Sequence, residues 1–210
     1  MRDIPLALLT ATVWTYWIIV GVMIVRMSRK TRRRAGFVPE QPQEQLMWVV
    51  WVPLVALWMG LPWAALRRTA DFLPPDFADM PAYSLLRWLA TGIAILALAG
   101  TMRCWAKMGR RWRLAVDVSE TTELITDGPF RRIRHPIYAF SILLVVCSVV
   151  ILPTLPMLAV AVVNITLLNL KARNEERHLL ASLGDRYARY VAATGRFLPR
   201  LGWPATRRPE

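Results

Sequence analysis

Cysteine and histidine are scarce in this chain, with two of each in 210 residues: Cys104 and Cys147, His135 and His178. Two isolated cysteines exclude a disulfide framework, and neither pair stands at metal-ligand spacing, so no metal is expected. The glycine-rich signatures G-x-G-x-x-G and G-x-x-x-x-G-K-S/T are missing, which excludes a Rossmann or P-loop nucleotide site. No Ser-His-Asp arrangement stands out, because nothing fixes Asp117 or Asp127 near a nucleophile. Acids are few, 14 against 27 Lys plus Arg, giving a net charge of +13. In a soluble chain that balance suggests nucleic acid. Here the charges fall between apolar runs, so membrane orientation and anionic lipid account for them, and no nucleic-acid partner is expected.

What the chain has instead is apolar length. Hydrophobic residues make up 55% and mean hydropathy is +0.34, against roughly 45–50% apolar in soluble domains. The excess is gathered into runs of the roughly 20 residues that a helix needs to cross a bilayer. Five spans are predicted: residues 4–25, 46–66, 83–102, 136–152 and 156–170. The class is an all-α integral membrane protein with about five transmembrane helices, a loop bearing the candidate site and a C-terminal helix. Pro53 and Pro62 lie inside the second run, where they predict a kink or a re-entrant path. Pro153-Thr154-Leu155-Pro156 predicts a tight turn that makes the last two spans a helical hairpin. The first run ends in the basic stretch 26–34 and reads as a stop-transfer anchor rather than a cleaved leader.

Basic residues orient the spans. With the N-terminus outside, 23 of the 27 Lys and Arg fall on one side, in segments 26–45, 103–135 and 171–210. The C-terminus and the segments around the hairpin are therefore expected in the cytoplasm. The division read from the sequence is 1–102 for the N-terminal spans, 103–200 for the region that holds the hairpin and the candidate site, and 201–210 for a flexible tail. Ten tryptophans cluster near the predicted span ends. They read as an interfacial belt, with lining of a lipid groove as the alternative.

One stretch exceeds what an anchor needs: Gly128-Pro129-Phe130-Arg131-Arg132-Ile133-Arg134-His135-Pro136-Ile137-Tyr138. Pro136 suits the first turn of the fourth span. His135 is then at a helix N-terminus, where free N–H groups and the dipole favour an anion. The stretch is answered by Glu175-Glu176 on the helix leaving the fifth span, where Asn169, Arg173, Glu176 and Leu180 share a face. Lys171 and Glu175 form a second stripe beside it. Acids so near the bilayer are costly unless paired, and the bases around Arg134 are the expected partners. Asn164, Thr166 and Asn169 are polar residues inside the last span, suited to helix–helix contacts or to a polar cavity. Gly184-Asp185 is expected to interrupt the helix running from Lys171 to Val191, with Tyr187 and Tyr190 on one face of the segment beyond the break.

Taken with Leu124-Ile125-Thr126-Asp127-Gly128-Pro129-Phe130, Leu183-Gly184-Asp185-Arg186-Tyr187-Ala188-Arg189-Tyr190 and Arg196-Phe197-Leu198-Pro199, these residues resemble the isoprenylcysteine carboxyl methyltransferase and phospholipid methyltransferase superfamily. The resemblance covers roughly residues 100–200. It implies S-adenosyl-L-methionine as methyl donor, bound at the cytosolic ends of the last spans. It implies that Arg134, His135, Pro136, Ile137 and Tyr138 line the cofactor site, with Phe130 and Thr122, Glu123, Leu124 and Ile125 around the adenosine. Glu176 then contacts the cofactor amino group or the reacting centre, and Glu175 supports it. The family's basic residue near a substrate carboxylate falls at Lys171, with Arg173 close by; a lysine lacks the guanidinium fork. The expected partners are the bilayer and a lipophilic acceptor, such as an isoprenylcysteine-type carboxylate. The alternatives are a phospholipid amine N-methyltransferase, an NADPH-dependent sterol-type reductase and a non-catalytic membrane scaffold.

Overall fold

The computed structural model describes residues 3–30, 42–67, 80–109 and 124–200. It is an all-α membrane protein. The helices are α1 (Ile4–Lys30), α2 (Pro42–Arg67), α3 (Pro81–Met108), α4 (Pro136–Ile151), α5 (Leu155–Leu183) and α6 (Asp185–Ala193). The first five form a closed ring in which α1 packs on α2 and α3, α3 on α4, α4 on α5 and α5 on α2. α1 also reaches α4 across the middle of the ring.

Among the described residues, four helices are long and apolar enough to cross a membrane: α1 over Ile4–Arg26, α2 over Val49–Arg67, and α3 and α5. α4 is apolar but shorter, with 16 residues. Side chains on the inner faces make one core, including Leu9, Val13, Trp58, Ala94, Val145, Ile151 and Met157. Outer faces carry exposed Val49, Leu57, Leu89, Leu96, Val146 and Val162. A helix apolar on both faces belongs in lipid, where hydrocarbon meets the outer side.

α2 runs unbroken through Pro53 and Pro62, so the re-entrant path gives way to a continuous helix. Each proline removes one N–H from the ladder, and neighbouring helices tolerate this in a membrane bundle. The tryptophans divide between two roles. Trp14, Trp63 and Trp88 are exposed, whereas Trp17, Trp58 and Trp105 are buried in the core. Trp58 donates its indole N–H to Ser148 Oγ at 3.0 Å, tying α2 to α4. Arg87 is paired with Asp3 at 2.5 Å near the start of α1.

α3 and α4 approach closely at Gly100, where an added Cβ would lie 2.5 Å from Phe140 Cζ. The α4–α5 connection is the expected tight turn, and Thr154 Oγ1 caps α5 by accepting from Met157 N at 3.3 Å. α5 continues without a break to Leu183 and stops at Gly184, whose φ of +50° suits glycine. The short α6 then folds back, burying Tyr187.

Candidate functional site

The site gathers at the start of α4 and the far half of α5, closed over by the segment after α6. Gly128, at φ +60°, opens one tight helical turn over Gly128–Arg131 that buries Phe130. The chain then leads through residues 132–134 to His135, which flanks the first residue of α4, with Pro136 at the position where a missing N–H is harmless. The segment after α6 lies parallel beside this approach, bridging Ile133 and Gly195. Gly195 N donates to Arg132 O at 3.1 Å, Arg134 N to Gly195 O at 2.8 Å and His135 N to Arg196 O at 3.1 Å. The His135 N–H is therefore taken by the chain itself, not left free for an anion. Gly195 is glycine because a Cβ there would land on the Leu198 carbonyl oxygen.

Charged side chains meet beneath this strap. Arg134 Nε donates to Glu176 Oε1 at 2.9 Å. Its Nη1 reaches the carbonyls of Val191, at 3.2 Å, and Thr194, so it also closes the end of α6. Arg196 grips the same carboxylate, with Nε 3.1 Å from both oxygens and Nη2 2.5 Å from Oε2. Its Nη1 donates to Asn169 Oδ1 at 3.2 Å, two turns earlier on α5. Glu175 accepts from the Tyr138 hydroxyl at 2.5 Å and lies 3.4 Å from His135 Nδ1. The His135 and Tyr138 rings stack with an interplanar angle of 2° and centroids 5.4 Å apart.

His135 Nε2 is 3.3 Å from Glu176 Oε1. That contact is poorly aligned for a hydrogen bond, and the atom is buried without a bonded partner among the described residues. Burial by itself would lower the imidazole pKa. The close approach of the Glu175 and Glu176 carboxylates and their charge outweigh burial and raise it above 6.5. The imidazolium is thereby favoured. Tyr190 donates to Phe130 O at 2.6 Å, and burial pushes its phenol up to about 12, so it stays a donor.

The residues singled out in the sequence fare differently. Arg134, His135, Tyr138, Glu175 and Glu176 converge in one cluster. Pro136 is buried at the mouth of α4, and Ile137 packs against the core. Phe130 is tied to α6 through Tyr190. Leu124 and Ile125 are half-buried in irregular chain, and Thr122 and Glu123 lie outside the described residues. Lys171 places Nζ 5.9 Å over the Trp51 ring of α2. Arg173 is exposed on α5, although helical spacing puts it on the Glu176 stripe. Asn164 is buried with Oδ1 unpaired among the described residues. Thr166 is exposed and bonds back to Val162 O.

Arg196, Asn169 and Thr194 enter the cluster without having been assigned to it. The signal for Arg196 was the basic residue in Arg196-Phe197-Leu198-Pro199, but its target is 20 residues away and helical periodicity says nothing across the Gly184 break. Among the described residues no group of three His, Cys, Asp or Glu stands close enough to hold a metal ion.

The isoprenylcysteine carboxyl methyltransferase (ICMT) family matches residues 90–181 of this chain. Similar curated proteins include the nickel-cobalt-cadmium resistance protein NccN of Alcaligenes xylosoxydans xylosoxydans, 26% identical over 115 residues, 54% of this chain and 53% of that protein. Another is the cobalt-zinc-cadmium resistance protein CzcN of Cupriavidus metallidurans, 30% identical over 118 residues and 55% of each chain. The matches span about half the length of these relatives.

Proposed function

We propose that this chain, whose residues 90–181 are an ICMT-family region, is an S-adenosylmethionine-dependent membrane methyltransferase acting on a lipophilic acceptor at the cytoplasmic face. The observation that carries the reading is the convergence of Arg134, His135, Tyr138, Glu175 and Glu176 where α4 and α5 meet. Carboxylates that serve only to anchor a helix need no buried imidazole, stacked phenol and two guanidiniums around them.

The donor set fits the cofactor's charges. When bound, S-adenosylmethionine supplies an electrophilic methyl group on a sulfonium. Glu175, which already accepts from Tyr138, is suited to an ammonium. His135, with a buried ring nitrogen lacking a bonded partner, is suited to donate to a carboxylate. The parallel His135 and Tyr138 rings offer a flat wall, and Phe130, Leu124 and Ile125 supply apolar cover for an adenosine. The residues do the rest by position and by excluding water, which is most of what an in-line displacement asks. An ionised carboxylate acceptor needs no base, whereas an amine acceptor needs one to keep it neutral.

Calorimetry on the detergent-purified chain with S-adenosylmethionine, S-adenosylhomocysteine and NADPH tests the reading. Saturable binding of the first two without NADPH supports it. NADPH binding alone points to a reductase, and binding of none, in detergent and in nanodiscs, overturns enzymatic use of the site.

A further inference from the structure

We propose that Arg196 is a positioning residue for the methyl-transfer site, gripping Glu176 from the C-terminal strap and so fixing the carboxylate pair against His135 and Tyr138. The proposal rests on the methyltransferase reading above. Arg196 lies outside the family-matched residues 90–181.

Each of its three guanidinium nitrogens is engaged. Nε and Nη2 take both oxygens of Glu176, and Nη1 takes Asn169 Oδ1. Asn169 and Glu176 are seven residues apart on α5, on one face. They therefore hold the fork in place from two points. The backbone of the same residue accepts the N–H of His135. One residue thus sets both the chain that carries the imidazole and the carboxylate beside it. Arg134 reaches Glu176 Oε1 independently. A carboxylate held by two guanidiniums is a fixed anion rather than a mobile base. Glu175 is left to face a ligand, and its bearing on Tyr138 and His135 follows from the next residue being pinned.

The strap does not need Arg196 in order to stay folded over the site. Gly195 is bonded to both Arg132 and Arg134 through the backbone, and Arg200 Nη1 donates to Ala192 O at 2.5 Å. Fastening and positioning are therefore separable by mutation.

The test is S-adenosylhomocysteine binding by calorimetry on the full chain in detergent, with thermal melting of each variant alongside. Arg196→Ala is expected to weaken binding roughly 10- to 100-fold, the range for a lost charge-assisted contact. Arg196→Lys recovers part of that loss, and Arg200→Ala binds like the parent. In a Glu176→Gln background the Arg196→Ala change costs less than about threefold, because a residue acting through Glu176 has nothing left to position. If Arg196→Ala does not fold, the same cycle is run with Arg196→Lys. The proposal is overturned if Arg196→Ala binds like the parent, if Arg200→Ala weakens binding as much, or if the two losses multiply in the double variant. A parent that does not bind defeats the methyltransferase reading and this proposal with it. A binding parent whose Arg196 variants are unaffected defeats this proposal alone.

Discussion

Replacing Gly195 by alanine separates the strap from the site with a single methyl group. The added Cβ would land on the Leu198 carbonyl oxygen, with the Leu198 carbonyl carbon at 3.0 Å and Arg200 N at 3.2 Å. All three are backbone atoms, so no side chain can swing aside. Gly195 is not among the positive-φ glycines, so the effect is pure contact rather than backbone strain. These atoms belong to the strap's own turn, so the backbone of residues 195–200 must rearrange, and the rearrangement puts three bonds at stake: Gly195 N to Arg132 O, Arg134 N to Gly195 O and His135 N to Arg196 O. At a net worth of about 0.5–1.5 kcal/mol each, the loss is about 1.5–4.5 kcal/mol. Near the middle of that range the amides of Arg134, His135 and Gly195 should exchange on the order of 100-fold faster. Amide hydrogen exchange read by mass spectrometry on peptides covering residues 130–140 and 190–200 measures this directly. The core helices, remote from the strap, serve as the internal control. Unchanged protection in both peptides would refute the reasoning, because it would mean that the strap is not held by these bonds.

Other substitutions probe the charges and the packing. Glu176→Gln removes the charge that Arg134 and Arg196 both grip, and is expected to lower methyl transfer into a membrane lipid extract at least about 100-fold while helix content holds. Turnover equal to the parent would defeat the assignment. Because the His135 pKa is raised above 6.5, its contacts with Glu175 and Glu176 stabilise the fold fully below that value. The contribution is lost as pH rises through the raised pKa. The gap in melting temperature between the parent and His135→Gln should therefore be widest below pH 6.5 and narrow as the pH rises above it, and a constant gap would count against the imidazolium. Gly100→Ala drives a methyl group into the Phe140 ring and should cost about 1–3 kcal/mol. Phe140→Leu should restore much of that loss in the double variant, and simple additivity would show that the two helices do not meet there.

Much of this architecture was legible because membranes impose simple rules. Long apolar runs, the Pro153–Pro156 turn and Gly184 fixed five helices, a hairpin and a break near where they occur. Pro136 and the adjacent carboxylates marked the site because both are expensive elsewhere. Spacing on one helix paired Asn169 with Glu176, and Arg196 joins the two. The same spacing puts Arg173 at the edge of that stripe, and its long side chain is exposed there. The parallel pairing of residues 132–135 with 195–196 could not be read, because it comprises only a few backbone bonds with no side-chain alternation behind them. The buried tryptophans were equally opaque: an indole suits both an interface and a core, and only packing decides.

The unbroken length of α5 carries a consequence for the lipid. Its 29 residues make a rod of about 43 Å. Glu175 stands 20 residues beyond Leu155, about 30 Å along that rod, which is the thickness of a typical hydrocarbon core. The carboxylate pair is thus held at a set height above the opposite face of the bilayer, like a mark on a gauge. Thinning or thickening the membrane tilts the rod and moves the mark relative to the headgroups. For the proposed lipophilic acceptor, acyl-chain length thereby becomes a variable that sets how far its head must rise to meet the carboxylate pair.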